Sequence, residues 1–67
     1  MEITLNNRKE TFEQDELTID ELLKIKNFTF KMLVIKINGK LIKKNQYKNA
    51  LIKNEDNVSV LHLISGG

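Results

Sequence analysis

The sequence predicts an α+β fold in which one main helix packs across one face of a mixed sheet of about five strands. Three observations carry this. Short alternating apolar segments flank a single stretch with helical spacing, asparagine-centred turn signals stand between pairs of those segments, and the first and last segments have the apolar content of strands paired in a sheet interior. One helix on one sheet is the two-layer arrangement that a chain of 67 residues can build.

Each element has a local reason. Ile3 and Leu5 alternate with Glu2 and Thr4, Asn6-Asn7 follows, and a second alternating run passes through Lys9, Thr11 and Phe12. Asparagine tolerates positive φ, so the segment reads as a hairpin. Thr18 precedes Glu21 by three residues, the spacing of a capping box, and Ile19, Leu22 and Leu23 obey the i, i+3, i+4 rule. A short helix therefore starts there, with Asp20 and Glu21 at the end its dipole favours for negative charge, and it ends near Lys26 or Asn27. Met32 to Ile37 is aliphatic and β-branched, and Asn38-Gly39 then signals a tight hairpin into Leu41 and Ile42. Asn45 to Ala50 reads as one helical turn that folds Tyr47 onto the core, ahead of the apolar pair Leu51-Ile52. Asn54, Glu55 and Asp56 turn the chain into the last strand. On it Val58, Val60, His62 and Ile64 share one side, and Ser59, Leu61, Leu63 and Ser65 share the other. This order is that of a β-grasp fold, with the first and last strands parallel at the centre.

Composition narrows the function classes. A single domain spanning 1–67 has a small core, and with no cysteine and one histidine, His62, it has neither disulfides, a thiolate zinc site nor a Ser/His/Asp or Cys/His catalytic set. An enzyme with its own pocket is not expected, nor is a metal site. No export signal or span of about 20 apolar residues is present, which predicts a cytoplasmic domain without a membrane partner. Charge is unevenly spread: seven of the nine acids lie between Glu2 and Glu21, and nine lysines from Lys24 to Lys53 run with no acid among them. That stretch is either a solvated surface or a patch for an acidic or phosphate-bearing partner. It carries only Phe28, Phe30 and Tyr47 and no arginine, which argues against nucleic-acid recognition.

The sequence closes on Ser65-Gly66-Gly67, directly behind the apolar run Val58 to Ile64. Without Cβ atoms such a tail can enter a narrow active site, and three residues reach about 10 Å. A frayed terminus has the same composition. Two glycines expose little apolar area, so a docking face is needed as well, and Leu61 and Leu63 are candidates for an exposed patch leading to the tail. Parity alone leaves open which side of the strand packs on the helix.

The segments "MEITLNN", "LTIDELL", "VIKINGKLIKKNQY" and "EDNVSVLHLISGG", together with the Gly-Gly end, give the chain a resemblance to the ThiS family of sulfur carriers, related to the MoaD-like and ubiquitin-like proteins. The resemblance covers essentially the whole chain, with Asn38 and Tyr47 at the family's turn asparagine and closing aromatic. It implies a carrier that is not itself an enzyme and binds no cofactor. A ThiF-like adenylyltransferase would consume ATP to adenylate the Gly67 carboxylate, a cysteine desulfurase or other donor would supply sulfur, and a ThiG-like thiazole synthase would take it from the Gly67 thiocarboxylate in thiamine biosynthesis. Gly66 would give the slim approach, and Leu61, Leu63 and Ser65 would meet the partner, the resemblance tipping Leu61 toward the interface. Two positions depart from the family: Lys43-Lys44 stands where Pro-Arg is common, and Glu55 where a turn glycine is common, which asks Asn54 or Glu55 for any positive φ, the former at modest cost. Other customers of the same ending are molybdopterin synthase, with this chain as its small subunit, and, for a ubiquitin-like modifier, target lysines.

Overall fold

The computed structural model describes residues 1–29 and 31–63. Strand β1 (Glu2–Leu5) turns through Asn6-Asn7 into β2 (Arg8–Thr11), and the two pair antiparallel with Leu5 opposite Arg8. Both asparagines take positive φ, 50° and 67°, as the turn requires. A short strand β3 (Glu16–Thr18) leads into helix α1 (Ile19–Ile25). The capping box forms: Glu21 N–H donates to Thr18 Oγ1 at 3.2 Å and Thr18 N–H donates to Glu21 Oε1 at 2.9 Å. At the other end Asn27 turns left-handed at φ 57°, so that its N–H reaches the Lys24 carbonyl and the Phe28 N–H the Leu23 carbonyl. This is a Schellman closure with asparagine in place of glycine.

Strand β4 (Leu33–Ile37) turns through Asn38-Gly39, at φ 51° and 83°, into β5 (Lys40–Ile42). One turn of 3₁₀ helix at Lys44–Gln46 follows, and Tyr47 beyond it packs half-buried against the core. Then come β6 (Leu51–Lys53) and β7 (Asn57–His62). The main sheet has the order β2-β1-β7-β4-β5, with β1 and β7 parallel and the other pairs antiparallel. The predicted central pairing of first and last strands is therefore present.

The sequence reading lacks one component, a second sheet of β3 and β6. It places Leu17 and Ile52, both essentially buried, opposite each other at the helix entrance, and leaves Leu51 exposed. Helix residues Ile19 and Leu22 pack with Ile3, Ile35, Val58 and Val60 in one core, and no charged or polar residue among those described is buried there. Burying each such aliphatic side chain contributes about 1.5–3 kcal/mol. Lys26 at the helix end reaches Glu10 on β2 at 3.0 Å, tying the two layers together at their rim.

Asparagine side chains also do the work of strand backbone. Asn6 Nδ2 donates to the Val60 carbonyl at 3.1 Å and Val60 N–H donates to Asn6 Oδ1 at 2.8 Å, so β7 stays paired past the point where β1 has turned away. Asn38 joins the β4–β5 turn to the start of β7 through Asn57 N–H and Asp56. Asn54 Oδ1 accepts from Glu2 N–H at 2.8 Å, and the turn it begins puts the positive φ on Glu55, at 71°, rather than on Asn54. Of the two residues the sequence left open for this conformation, Glu55 is the one that adopts it. The Asn54 side chain is committed to β1, and the left-handed residue is the next one.

Two substitutions at left-handed positions should act in opposite directions. Glu55→Gly relieves a conformation that costs an L-residue about 1 kcal/mol, and thermal melting should show Tm raised by about 2–6 °C after the entropy glycine adds to the unfolded chain. Asn6→Gly keeps the permitted φ but loses both bonds to Val60, so chemical denaturation should report a loss of about 1–3 kcal/mol. An Asn6→Gly protein as stable as the parent would show that those bonds contribute nothing.

Candidate functional site

The tail predicted to carry chemistry, Ser65, Gly66 and Gly67, lies outside the described residues, as do Ile64 and Phe30. What the structure places is the root of that tail. Strand β7 is fixed on both sides, by β1 and Asn6 on one and by β4 on the other, with Val60 opposite Ile35 and Leu61 opposite Val34. Pairing persists to the end of the strand, where Leu33 faces His62 and the Leu63 N–H donates to the Met32 carbonyl at 3.0 Å. The last described residue is therefore held against β4.

Parity is resolved by the partner register. Ile35 is fully buried under the helix, and because Val60 lies across from it, Val58 and Val60 share that face, 0% and 7% exposed. The opposite face then receives Leu61, which is 55% exposed, and beyond the strand Leu63 is 45% exposed. Met32 and Leu41 join them at 53% each. His62 follows Val60 in the alternation but lies exposed at the strand's end, where the helix no longer covers it.

Beside Leu63 an open groove of about 560 Å³ runs between the end of α1 and the adjacent ends of β4 and β5. Its floor includes Leu23, Leu33, Ile42 and Tyr47, its apolar lip Met32, Leu41 and Leu63, and its charged rim Lys31, Lys43 and Lys44. Asp20 is the one acid in its lining. Burial, and secondarily the Asp20 carboxylate, push the Tyr47 phenol above its ordinary range, so it is neutral at physiological pH. The lysine pair that departs from the family pattern thus sits on this rim, a placement that sequence spacing did not reveal because it depends on β5 ending beside the helix.

Among the described residues no group of three histidine, cysteine or acidic side chains is placed to hold a metal, and no helix is long and apolar enough to cross a membrane.

The model of the ThiS family matches residues 1–67. The chain belongs to the ThiS family. The crystal structure of the thiamine biosynthesis protein (ThiS) from Geobacter metallireducens superposes with a TM-score of 0.89 at 23% identity, covering 100% of both chains. The NMR solution structure of a thiamine biosynthesis protein from the same organism gives 0.80 at 23% identity, over 100% of this chain and 88% of that one. At that identity the likeness to these two is one of fold, and it matches the helix and five-stranded mixed sheet described above. No curated protein matches the chain. Within this ThiS-family fold, exposed Leu61 stands on β7 and exposed Leu63 directly after it, ahead of the Gly-Gly end in sequence.

The two faces of β7 should respond differently to truncation. Val58→Ala empties core volume and should cost about 2 kcal/mol in urea denaturation, whereas Leu61→Ala should stay within about 0.5 kcal/mol of the parent. Equal losses would contradict the assignment of faces.

Proposed function

We propose that residues 1–67 act as one sulfur carrier domain for thiamine biosynthesis, with Gly67 as the carrier atom's attachment point. The observation that supports this most is family membership over the whole chain, coupled to a Gly66-Gly67 ending behind a strand locked at the sheet centre. The protein is a substrate of other enzymes rather than a catalyst.

The chemistry follows from what a carboxylate can and cannot do. At a pKa of roughly 3.5 the Gly67 carboxylate is ionised and resists nucleophilic attack. An ATP-dependent adenylyltransferase joins it to the α-phosphate of ATP, releasing pyrophosphate and leaving an acyl adenylate. A sulfur nucleophile, a sulfide or an enzyme persulfide loaded by a cysteine desulfurase, then attacks the acyl carbon and AMP departs. Resolution of the acyl disulfide, where a persulfide is used, requires a thiol reductant. The product is a Gly67 thiocarboxylate whose sulfur is nucleophilic at neutral pH, ready for a thiazole synthase. Four residues, ending in Gly67, follow Leu63. Fully extended they reach at most about 14 Å, enough to enter a buried active site while the sheet remains at its mouth. Past Ile64, Ser65 and Gly66 present no side chain larger than a hydroxymethyl group.

Intact-mass measurement after incubation with the cognate adenylyltransferase, ATP and sulfide tests the reading. Exchange of one oxygen for sulfur adds about 16 Da, and removal of Gly67 should abolish the gain. Sulfur transfer to a pterin precursor by molybdopterin synthase, with none to thiazole synthase, would reject the thiamine assignment. Conjugates of high mass in cell extract would instead mark a protein modifier.

A further inference from the structure

Asn38-Gly39 is a chemically reactive pair as well as a turn. Of the eight asparagines in the chain, only Asn38 is followed by glycine. Glycine has no Cβ to hinder attack by its own backbone nitrogen on the neighbouring side-chain carbonyl carbon, Cγ of Asn38. That attack forms the N–Cγ bond of a cyclic succinimide and breaks the Cγ–Nδ2 bond, with the Gly39 amide proton ending on the departing ammonia. Water then adds to one of the two ring carbonyls and opens the ring, leaving aspartate or isoaspartate at position 38.

Solvent access does not restrain this reaction. Asn38 and Gly39 are both exposed, and nothing lies within 4 Å of the point a Cβ on Gly39 would occupy. Hydrogen bonding does restrain it. Asn38 Nδ2 donates to Asp56 Oδ1 at 3.0 Å, Asn38 Oδ1 accepts from Asn57 N–H at 2.8 Å, and Asn38 N–H donates to the Asn57 carbonyl at 2.7 Å. These bonds hold the side chain on the entry to β7 and the backbone in its left-handed turn, at φ 51°. Closing the ring requires rotation about the Cα–C bond of Asn38 out of that turn and release of the side-chain amide from both partners.

We propose that Asn38 is a deamidation site which the fold keeps closed through Asp56 and Asn57, and whose product loosens the entry of β7 into the sheet. Asp56 is the junction that makes the product costly. Its carbonyl accepts from Thr4 N–H on β1 at 2.9 Å and its Oδ2 from Lys53 N–H on β6 at 2.9 Å, so one residue ties three strands to the start of β7. An aspartate at position 38 replaces the donating amide by a second carboxylate at hydrogen-bond distance from that of Asp56, and attraction becomes repulsion. Isoaspartate in addition lengthens the backbone inside a hairpin whose loop length fixes its register. Modification therefore selects copies whose β4–β5 turn has opened, and those copies do not close again as the parent does.

Peptide mass mapping in mildly alkaline buffer tests this, reading a gain of about 1 Da at residue 38, with methyl transfer by an isoaspartyl carboxyl methyltransferase counting the isoaspartate. The parent should react at least about tenfold more slowly in native buffer than in concentrated urea. Asp56→Ala should speed the native reaction by about fivefold or more, whereas Leu22→Val, which loosens the core from the helix side, should change it by less than about twofold. Aspartate tolerates left-handed φ, so Asn38→Asp isolates the charge, and it should lower Tm by about 4 °C or more. Adding Asp56→Asn to that variant again sets a donor against an acceptor and should recover at least half of the loss. Equal rates in native buffer and urea, equal acceleration by Asp56→Ala and Leu22→Val, no gain at residue 38 even in urea, or an Asn38→Asp protein that melts with the parent would each overturn the proposal.

Discussion

The position of β7 is the constraint on which the rest depends. It is the middle strand of five, paired parallel to β1 and antiparallel to β4, and both its neighbours must be in place before its own backbone groups are satisfied. Because β4 sets Ile35 under the helix, register alone sends Val58 and Val60 into the core and Leu61 outward. A slip by one residue would bury the wrong leucines and expose the valines. The same pairing holds Leu63 to Met32, so order extends from the core to the root of the tail.

The chain achieves this with three glycines, two of which lie in the tail, and no proline. Asparagine substitutes for both kinds of turn chemistry. It takes left-handed φ at Asn6, Asn7, Asn27 and Asn38, and at Asn6, Asn38 and Asn54 its amide also bonds to distant backbone. Each asparagine that does both jobs couples a local turn to a long-range strand pairing. Glu55 is the exception, a left-handed residue without a side chain suited to it, placed where Asn54 is already engaged.

Elements specified by neighbours in sequence were legible. Asn38-Gly39, Thr18 with Glu21, and the alternation of β1 each encode their geometry within a few residues, and the apolar first and last strands pointed to the centre of the sheet. What escaped was specified by partners far away. Strands β3 and β6 are three residues long and each buries one side chain, Leu17 or Ile52, too few for a period of two to show. The exposed side of β7 depends on its register with β4, and the lysine rim on where β5 stops relative to the helix. Of the candidate site, Leu61 and Leu63 were identified from the sequence together with their shared face, but the groove beside them was not, because its walls come from three separate elements.

Strand β7, paired on both sides, carries order from the core to Leu63 at the end of the described residues. Native-state amide hydrogen exchange measures this most directly. The account predicts that the Val60 amide, bonded to Asn6 and facing Ile35, exchanges only through global unfolding, with a free energy equal to that from denaturant melts, while β2 and the β3–β6 pair open at lower cost. Exchange at Val60 as fast as in β2 would contradict it, since the strand leading to the tail would then open on its own.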